Sequence, residues 1–444
     1  MHQLKRIIRK AVPQSLISGY HYFLAQLADM YYRHPTGKMT IIGITGTKGK
    51  TSAANYVWSV LTACGYKTGL IGTANIRFGQ KEIMNNFHMT MPGPLHLQKL
   101  FREMLDQGCT HVVMEATSEG MKLFRHIGIE FDAAIFTNLT PEHLPSHGGS
   151  FERYKNEKTK LFKALQSPEK TINGKRVRKT SIINADSDHA NLFLSFPSSN
   201  KLTFSIREPS DFQATSLNET VTGVDFNVNS VPFHLSLLGG FNVYNALPAI
   251  ALGSAFGLDQ GHIQQGIADL KTIPGRMELI EAGQNFTVIV DYAHEKISMN
   301  AVLDTAKKMA KEHKVIVLLG AEGGGRDKAK RPAMGEAAGR KADYVICSNV
   351  DPYEDDPFPI ANDIAVAAES EGKVRNQNLF VILDRREGIK KALDLAQKGD
   401  IVLITGKGAE QSIVIGGKSY PWDDRDVVSE ELSKVKNKQQ TTGG

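Results

Sequence analysis

The sequence has few of the features that mark disulfide-bonded, membrane-spanning or disordered proteins. It holds 3 cysteines in 444 residues. Cys64, Cys109 and Cys347 are far apart and odd in number, so neither a disulfide framework nor a zinc cluster is indicated. No apolar run approaches the roughly 18 residues of a membrane span, and the N-terminus lacks the apolar core and cleavage site of a signal peptide. A cytoplasmic globular protein of two or three domains is expected.

An excess of positive over negative charge is also missing from the body of the chain, between residues 39 and 432. The formal net charge is +6, but residues 1–38 carry a net +5 and the lysines after Ser433 carry +3. The part between them is close to neutral, so a broad basic face for nucleic acid is not expected. The tail, residues 433–444, is polar and poor in apolar residues, which predicts disorder.

Residues 1–38 form a separate basic segment with a predicted amphipathic helix after Pro13. Its apolar residues at helical spacing are Leu16, Ile17, Tyr20, Phe23, Leu24, Leu27 and Tyr31. Two interpretations remain open. The favoured one packs this stripe against the protein's own body, because an apolar stripe usually belongs to a core. The other is weak contact with a membrane surface through residues 1–32, since basic residues flank the stripe.

From Met39 onward, apolar strands alternate with helices, which predicts α/β domains with parallel sheets. Strands are predicted at 39–45, 68–73, 111–115, 133–137, 181–184, 286–291, 314–319, 343–347, 379–383 and 401–404. Residues 202–238 resemble short β pieces, and Pro274-Gly275 marks a break. We therefore expect a central domain at 39–272 and a C-terminal domain at 273–432, with the boundary near 272.

The strongest local signal is GITGTKGKT at residues 43–51, between a predicted strand and a predicted helix. Glycines let backbone N–H groups approach phosphate oxygens, and a helix N-terminus adds its positive end. Lys50 suits the phosphates and the Thr51 hydroxyl suits magnesium. Ile44 stands where a strict Walker A motif requires glycine, yet the context predicts a phosphate loop.

Polar residues follow several other predicted strands, where ligands of open parallel sheets bind. Glu115 ends one strand, and a segment with His143 and His147 follows another. Pro145 between these histidines argues against a helical zinc site. In the second domain, Asp291 ends a strand and GAEGGGRDKAKR at 320–331 suits an anion-binding loop. The sequence predicts a nucleotide site in a cleft between the two domains.

Eight ordered blocks resemble the Mur ligase family, most closely its branch that adds the third residue of the peptidoglycan peptide. They are GTKGKT, MEATSEGM, NLTPEHLPSHGGSFERYKNEKTKLF, LLGGFNVYNALPAI, PGRME, VDYAH, GGGRDKAKRP and GKGAE, between residues 40 and 430. The resemblance implies a central P-loop-type parallel-sheet ATPase domain followed by a Rossmann-like α/β domain. It also implies an ATP- and Mg²⁺-dependent ligase that joins a carboxylate to an amine through an acyl phosphate.

The resemblance also implies roles for individual residues. The implied nucleotide contacts are Gly46, Thr47, Lys48, Gly49, Lys50, Thr51, Ser52, Asn242, Asn245, Arg276 and Asp291. The implied catalytic and metal-binding residues are Lys50, Thr51, Glu115, His143 and Lys158, the last as a carbamylated lysine. The implied substrate contacts are Thr90, Thr117, Ser118 and Arg125 for the sugar-peptide and Arg326, Asp351 and Glu410 for the incoming amino acid.

Three departures from the family pattern leave alternatives open. Only 38 residues precede the phosphate-loop strand, where the family usually has a uridine-binding domain. Tyr353 stands in place of the arginine that would clamp a second carboxylate of diaminopimelate, and Ala409 replaces a histidine. The alternatives are a ligase for another acceptor, such as a folate or an amino-acid polymer, and a nucleotide-binding homologue without ligase activity.

Overall fold

The computed structural model describes residues 14–85, 89–142, 144–220 and 222–441. In these ranges the chain divides into two compact units. The first contains the described residues up to Ser216, together with Phe226–Leu235 and Val243–Leu270. The second contains Leu217–Asp225, Ser236–Asn242 and the residues from Lys271 onward.

The first unit is built on a large, mainly parallel sheet. Up to residue 235 the strands are β1 (Thr40–Thr45), β2 (Thr68–Ile71), β3 (Asn75–Phe78), β4 (Lys81–Met84), β5 (His111–Glu115), β6 (Ala133–Phe136), β7 (Lys170–Ile172), β8 (Lys175–Val177), β9 (Thr180–Asn184), β10 (Asn200–Ser205), β11 (Phe212–Thr220), β12 (Gly223–Val228) and β13 (Val231–Leu235). Strands β7 and β8 form a separate hairpin. The others follow the order β13-β12-β11-β10-β9-β6-β1-β5-β2-β3-β4 in one sheet. Strand β1 is central, parallel to β5 and β6, and buried along its whole length.

Helices cover this sheet on both faces, which is why its central strands read as continuous apolar runs. They are α1 (Gln14–Tyr31), α2 (Lys50–Ala63), α3 (Pro94–Asp106), α4 (Ser118–Lys122), α5 (Phe151–Ala164), α6 (Ala190–Leu194), α7 (Phe241–Ala255) and α8 (Gln260–Asp269). Phe101, Phe136, Phe162 and Phe193 fill one core cluster, in which the rings of Phe136 and Phe193 stack at 3.8 Å. The central strands of the sheet therefore pack against a layer of aromatic side chains.

The second unit has a smaller sheet of its own. Its strands are β14 (Glu278–Leu279), β15 (Thr287–Asp291), β16 (Val315–Leu319), β17 (Tyr344–Cys347), β18 (Leu379–Val381) and β19 (Ile401–Thr405), in the order β14-β15-β19-β16-β17-β18, with a hairpin of β20 (Ser412–Ile415) and β21 (Lys418–Pro421). The helices are α9 (Lys296–Ala310), α10 (Lys330–Lys341), α11 (Pro357–Ser370), α12 (Arg385–Leu395) and α13 (Asp424–Thr441). Alternate residues of β16 enter two different core clusters, Val317 on one face and Ile316 on the other. Helices thus cover both faces here as well.

The predicted α/β class is confirmed, and each predicted strand has a counterpart in the structure. The tail differs from the prediction, because α13 continues through residues 433–441. Asp424 and Asp426 in its first turn favour the positive end of the helix, and no proline or glycine interrupts it before Thr441. Among the described residues, no helix combines the length and hydrophobicity needed to cross a membrane.

The packing expected for α1 is wrong for most of its apolar stripe. The helix forms as predicted, but Leu16, Tyr20, Phe23 and Tyr31 are 59–75% exposed. The face that packs on the unit carries Ala25 and Ala28, both 0% exposed, and their small side chains let α1 approach α3 closely. The predicted helical period of α1 is confirmed, but the buried side of the helix lies opposite its large apolar residues.

Candidate functional site

The turn from β1 into α2 has the backbone expected of a phosphate loop. Gly46 has φ 153° and Gly49, which caps α2, has φ 79°. A Cβ atom on Gly49 would lie 2.2 Å from Oδ1 of Asn245, so glycine is required there both by the backbone and by space. The first turn of α2 contains Lys50, Thr51 and Ser52, and the N–H groups in the first turn of a helix favour nearby anions.

Residues after β6 hold the loop in place. The side-chain oxygen of Asn138 accepts a hydrogen bond from the Lys48 N–H at 2.9 Å, and its backbone oxygen accepts one from the Thr47 N–H at 2.9 Å. The Thr137 hydroxyl donates to the Lys48 carbonyl at 2.7 Å. Thr47 Oγ1 lies 3.0 Å from the Tyr154 hydroxyl. These hydrogen bonds fix the loop, and such preorganisation lowers the cost of ligand binding.

Two lysines meet the carbonyl groups of this loop. Lys50 Nζ donates to the carbonyl oxygens of Gly46 and Thr47, both at 3.0 Å, and Lys158 Nζ donates to Gly46 at 2.6 Å. Lys158 is 2% exposed, and its Nζ lies 4.6 Å from the centre of the Tyr154 ring. Burial and then the nearby charge of Lys50 lower the pKa of Lys158 well below its usual value. The buried amine is therefore shifted toward its neutral form.

Glu115 lies at the same edge of the sheet, fully buried at the end of β5 and in register with Ile44 of β1. Its two carboxylate oxygens accept hydrogen bonds from the Thr73 N–H at 2.6 Å and the Thr73 hydroxyl at 3.0 Å. Thr73 Oγ1 in turn lies 2.8 Å from Thr90 Oγ1. Glu115 and Thr90 are thus linked through one threonine.

The other residues predicted to contact the sugar-peptide substrate, Thr117, Ser118 and Arg125, lie beside α4. Thr117 caps this helix by accepting a hydrogen bond from the Gly120 N–H, and Arg125 donates to the Met91 carbonyl oxygen. Ser118 Oγ lies 3.1 Å from His147 Nε2, and burial lowers the pKa of His147. His143 lies outside the described residues.

The candidate metal ligands fit magnesium in part. Thr51 and Glu115 carry hard oxygen atoms of the kind that Mg²⁺ prefers. Lys158 carries none unless it is modified. In the described part of the chain, no three His, Cys, Asp or Glu side chains are grouped as a metal site. Mg²⁺ commonly uses one or two carboxylates plus substrate phosphates, so its fit to the described residues rests on Thr51 and Glu115.

In the second unit, Asp291 is held at the end of β15. It accepts hydrogen bonds from the N–H groups of Met277 at 2.8 Å and Ala293 at 2.7 Å. Burial raises the pKa of Asp291, while the charge of Arg276 opposes this. The Arg276 guanidinium lies 4.4 Å from the centre of the Tyr292 ring. Asn242, also assigned to this unit, donates to the Leu238 carbonyl at 2.8 Å.

A buried lysine links Asp351 and Glu410, two of the residues predicted to bind the incoming amino acid. Lys407, which is 0% exposed, donates to Asp351 at 2.9 Å and to Glu410 at 2.8 Å. The Tyr292 hydroxyl donates to the other Glu410 oxygen at 3.1 Å. Burial alone would lower the pKa of Lys407, but the two carboxylates together raise it. The cluster therefore keeps Lys407 charged inside the protein.

The third amino-acid candidate, Arg326, is exposed on the loop after β16. This loop packs on the segment after β17, where Tyr353 has φ 57°. The Tyr353 ring lies against Gly324, since a Cβ atom there would meet Tyr353 Cδ2 at 2.7 Å. Tyr353, which stands where the family resemblance places an arginine, therefore lies beside the glycine-rich loop.

Several residues with clear roles in this geometry were not among the sequence candidates: Thr73, Thr137, Asn138, Tyr154 and Lys407. Asn138 and Lys407 follow strand ends and belong to recognised blocks, so their positions did carry a signal. Thr73 and Tyr154 act through tertiary contacts with Glu115 and Thr47. Because the partners are far apart in the sequence, no local pattern predicts these contacts.

Comparisons with known proteins agree on one family. Residues 44–253 match the Mur ligase middle domain, and residues 275–408 match the Mur ligase glutamate ligase domain. A Bacillus cereus protein named UDP-N-acetylmuramoyl-L-alanyl-D-glutamate--2,6-diaminopimelate ligase is 38% identical over 97% of this chain and 85% of its own length. A UDP-N-acetylmuramyl-tripeptide synthetase from Roseiflexus sp. is 38% identical over 96% of this chain and 85% of its own.

Solved structures give the same result. A UDP-N-acetylmuramoyl-L-alanyl-D-glutamate--2,6-diaminopimelate ligase shares 29% identity at a TM-score of 0.59, covering 89% of this chain and 78% of that one. The folylpolyglutamate synthase of Mycobacterium tuberculosis shares the fold at 17% identity and a TM-score of 0.67, covering 87% and 93%. The second likeness concerns the fold alone.

Proposed function

Because the chain belongs to the Mur ligase family, we propose that it works as an ATP-dependent amide ligase in peptidoglycan biosynthesis, adding an amino acid to a UDP-MurNAc-dipeptide acceptor. The observation that carries this proposal is the preorganised phosphate loop at residues 43–51, with Glu115 at the same sheet edge and Lys158 against the loop. A buried lysine with a lowered pKa beside such a loop favours a catalytic role over that of a scaffold. The names of two relatives at 38% identity support the tripeptide-forming branch.

The reaction follows from the chemistry of the acceptor. A carboxylate resists attack by an amine because it is negatively charged and has no good leaving group. Transfer of the γ-phosphoryl group to a carboxylate oxygen forms an acyl phosphate and releases ADP. The amine then attacks the acyl carbon, the C–O bond to phosphate breaks, and an amide, phosphate and a proton are the products.

We assign the phosphate-binding role to the backbone N–H groups from Gly46 to Ser52 and to Lys50. When bound at this site, Mg²⁺ would supply charge neutralisation for the transferred phosphoryl group, which is the main catalytic effect in such reactions. Thr51, Glu115 and His143 are the side chains proposed to hold it. The pair of hydrogen bonds from Thr73 keeps the Glu115 carboxylate oriented.

Lys158 is proposed to act as a carbamate. The lowered pKa supports this, because a neutral amine can attack the carbon of CO₂ and lose a proton. The product is a carboxylate at the end of the lysine side chain, and it would give the site the oxygen donor that an unmodified lysine lacks.

The acceptor contacts are proposed to be Thr90, Thr117, Ser118 and Arg125. Arg326, Asp351 and Glu410 are proposed to receive the amino acid, and Asn242, Asn245, Arg276 and Asp291 to contact the nucleotide. Tyr353 argues against diaminopimelate, because a phenol cannot form the bidentate pair that a guanidinium forms with a second carboxylate. An amino acid with one carboxylate, such as lysine, fits this change.

The deciding experiment measures phosphate release from ATP and Mg²⁺ with UDP-MurNAc-L-Ala-D-Glu and one L-amino acid at a time, with product mass as the second readout. Release that depends on both substrates, with a new amide, supports the proposal. Lys50→Ala is expected to abolish release, whereas Lys163→Ala, an exposed lysine of α5, serves as the matched control. Failure with every amino acid, despite ATP binding, would refute this acceptor.

A further inference from the structure

The exposed face of α1 is the largest set of apolar side chains that the first unit leaves uncovered on one element. Leu16, Tyr20, Phe23, Leu27, Met30 and Tyr31 are 41–75% exposed. They recur every three or four residues, so they form one continuous stripe along the helix. Contiguous apolar patches of this kind usually mark an interaction surface.

The stripe is held outward by the opposite face of the helix. Ala25 and Ala28 are fully buried, and α1 packs through this side on α3. Asp29 is the one acidic residue within residues 14–31, and its side chain lies 2.7 Å from Nδ1 of His34. The Tyr22 ring contacts Phe124 edge-on at 5.9 Å. Turning the large side chains inward would break these contacts, so the stripe is a fixed feature of the surface.

Charge decides what can cover the stripe. Lys5, Arg6, Arg9 and Lys10 precede α1 in the sequence, and exposed Arg33 and Lys38 follow it. A second copy of the same helix would bring two strongly basic segments together, which electrostatic repulsion opposes. An anionic surface attracts them instead, at about a factor of five per basic residue near a lipid bilayer. The charge pattern therefore favours acidic lipid over self-association.

We propose that α1 lies in the plane of an anionic lipid surface with the stripe inserted at the headgroup level. Tyr and Phe side chains suit this depth, since their rings are apolar and the tyrosine hydroxyl reaches water. The helix lies on the surface and does not cross it. Exposed Arg33 and Lys38 contact the acidic headgroups, and the positive charge that precedes α1 in the sequence adds to the attraction. This contact is independent of ligation and brings the enzyme to the membrane.

The test uses flotation of the full chain with phosphatidylcholine vesicles, with and without phosphatidylglycerol. Wild-type protein is expected to float with the anionic vesicles and to be released by salt. Phe23→Gln/Leu27→Gln keeps good helix formers and should weaken binding at least tenfold. The matched control, Phe358→Gln/Val366→Gln on α11, changes side chains that are 50% and 52% exposed and should bind as wild type does. Replacing Lys5, Arg6, Arg9 and Lys10 by Gln should weaken binding about a hundredfold or more.

Phe23→Trp gives a direct readout of insertion, because its fluorescence should shift to the blue only with anionic vesicles. Equal flotation of wild type and Phe23→Gln/Leu27→Gln would overturn the proposal. So would a dimer in sedimentation that this double variant abolishes while vesicles bind neither protein, since the occupant would then be a second copy. Phosphate release measured on the same variants should stay at the wild-type level, which keeps this test separate from that of the proposed ligase activity.

Discussion

The side-chain nitrogen of Lys158, on α5, lies 2.6 Å from the carbonyl oxygen of Gly46 in the phosphate loop. Residues 112 positions apart in the sequence thereby meet in one buried contact. The contact stabilises the loop and keeps the amine out of water. Its two consequences, a held loop and a lysine with a lowered pKa, can be tested separately.

Lys158→Ala is expected to reduce ligation by at least about a hundredfold, because the site loses the carboxylate that carbamylation would supply. Adding acetate or another short carboxylate should restore part of the rate in this variant. The measurement is phosphate release with both substrates, with ATP affinity as a second readout. A lysine that only supports the loop would give a variant that carboxylates do not rescue.

Gly49→Ala should prevent ATP binding and destabilise the protein by more than the 1–2 kcal/mol of a strained backbone. The strain comes from φ 79°, and the additional cost comes from the contact with Asn245. Gly65→Ala is the matched control, since Gly65 has φ 85° but no neighbour within 4 Å of an added Cβ atom. Urea denaturation of both variants separates the two costs. Equal losses would show that Asn245 moves aside freely.

Tyr353→Arg is expected to improve the use of diaminopimelate relative to lysine by about tenfold or more, because it adds a bidentate donor for a second carboxylate. Both residues would share the same backbone at φ 57°, so the comparison is not confounded by strain. Tyr353→Phe is the control and should leave the preference unchanged. Competition between the two amino acids, read by product mass, gives the ratio. An unchanged ratio in Tyr353→Arg would place the specificity elsewhere.

The lowered pKa of Glu322 predicts that the protein loses stability in acid. Burial alone would raise its pKa, but His294 and Lys330 lower it to about 2. A carboxyl whose folded pKa lies below its unfolded value of 4.5 stabilises the protein above that value, and this share is lost as the pH falls from about 4.5 to about 2. Glu322→Gln should lower stability at pH 7 by about 2 kcal/mol and flatten this acid limb.

The control for Glu322 is Glu336→Gln, which breaks an exposed pair with Arg340 and should cost under about 1 kcal/mol. Denaturant unfolding at several pH values measures both variants. If Glu322→Gln kept the wild-type acid limb, other carboxyls would be responsible for it.

The glycine-rich turn and the alternation of strands could be read from the sequence because both rest on local rules. Glycine at 46 and 49 serves a backbone that other residues adopt at a cost, and a buried parallel strand needs an unbroken apolar run. Glu115 could be placed at the same edge of the sheet as this turn because parallel strands end on the same side. Thr73 could not be placed beside Glu115 from the sequence, because their hydrogen bond joins residues 42 positions apart and leaves no periodic signal.

The sequence by itself determined the α/β class, the glycine-rich turn between β1 and α2 and the helical period of α1, because these depend on spacing and on backbone preference. Only the tertiary structure decided which side of α1 is buried. Two alanines pack closely on α3, and close approach of the helices leaves the large side chains outside. The tertiary structure also decided that Lys158 is buried and Lys163 exposed, although both lie on α5. Burial depends on which neighbours the fold brings near, and the residue type does not carry that information.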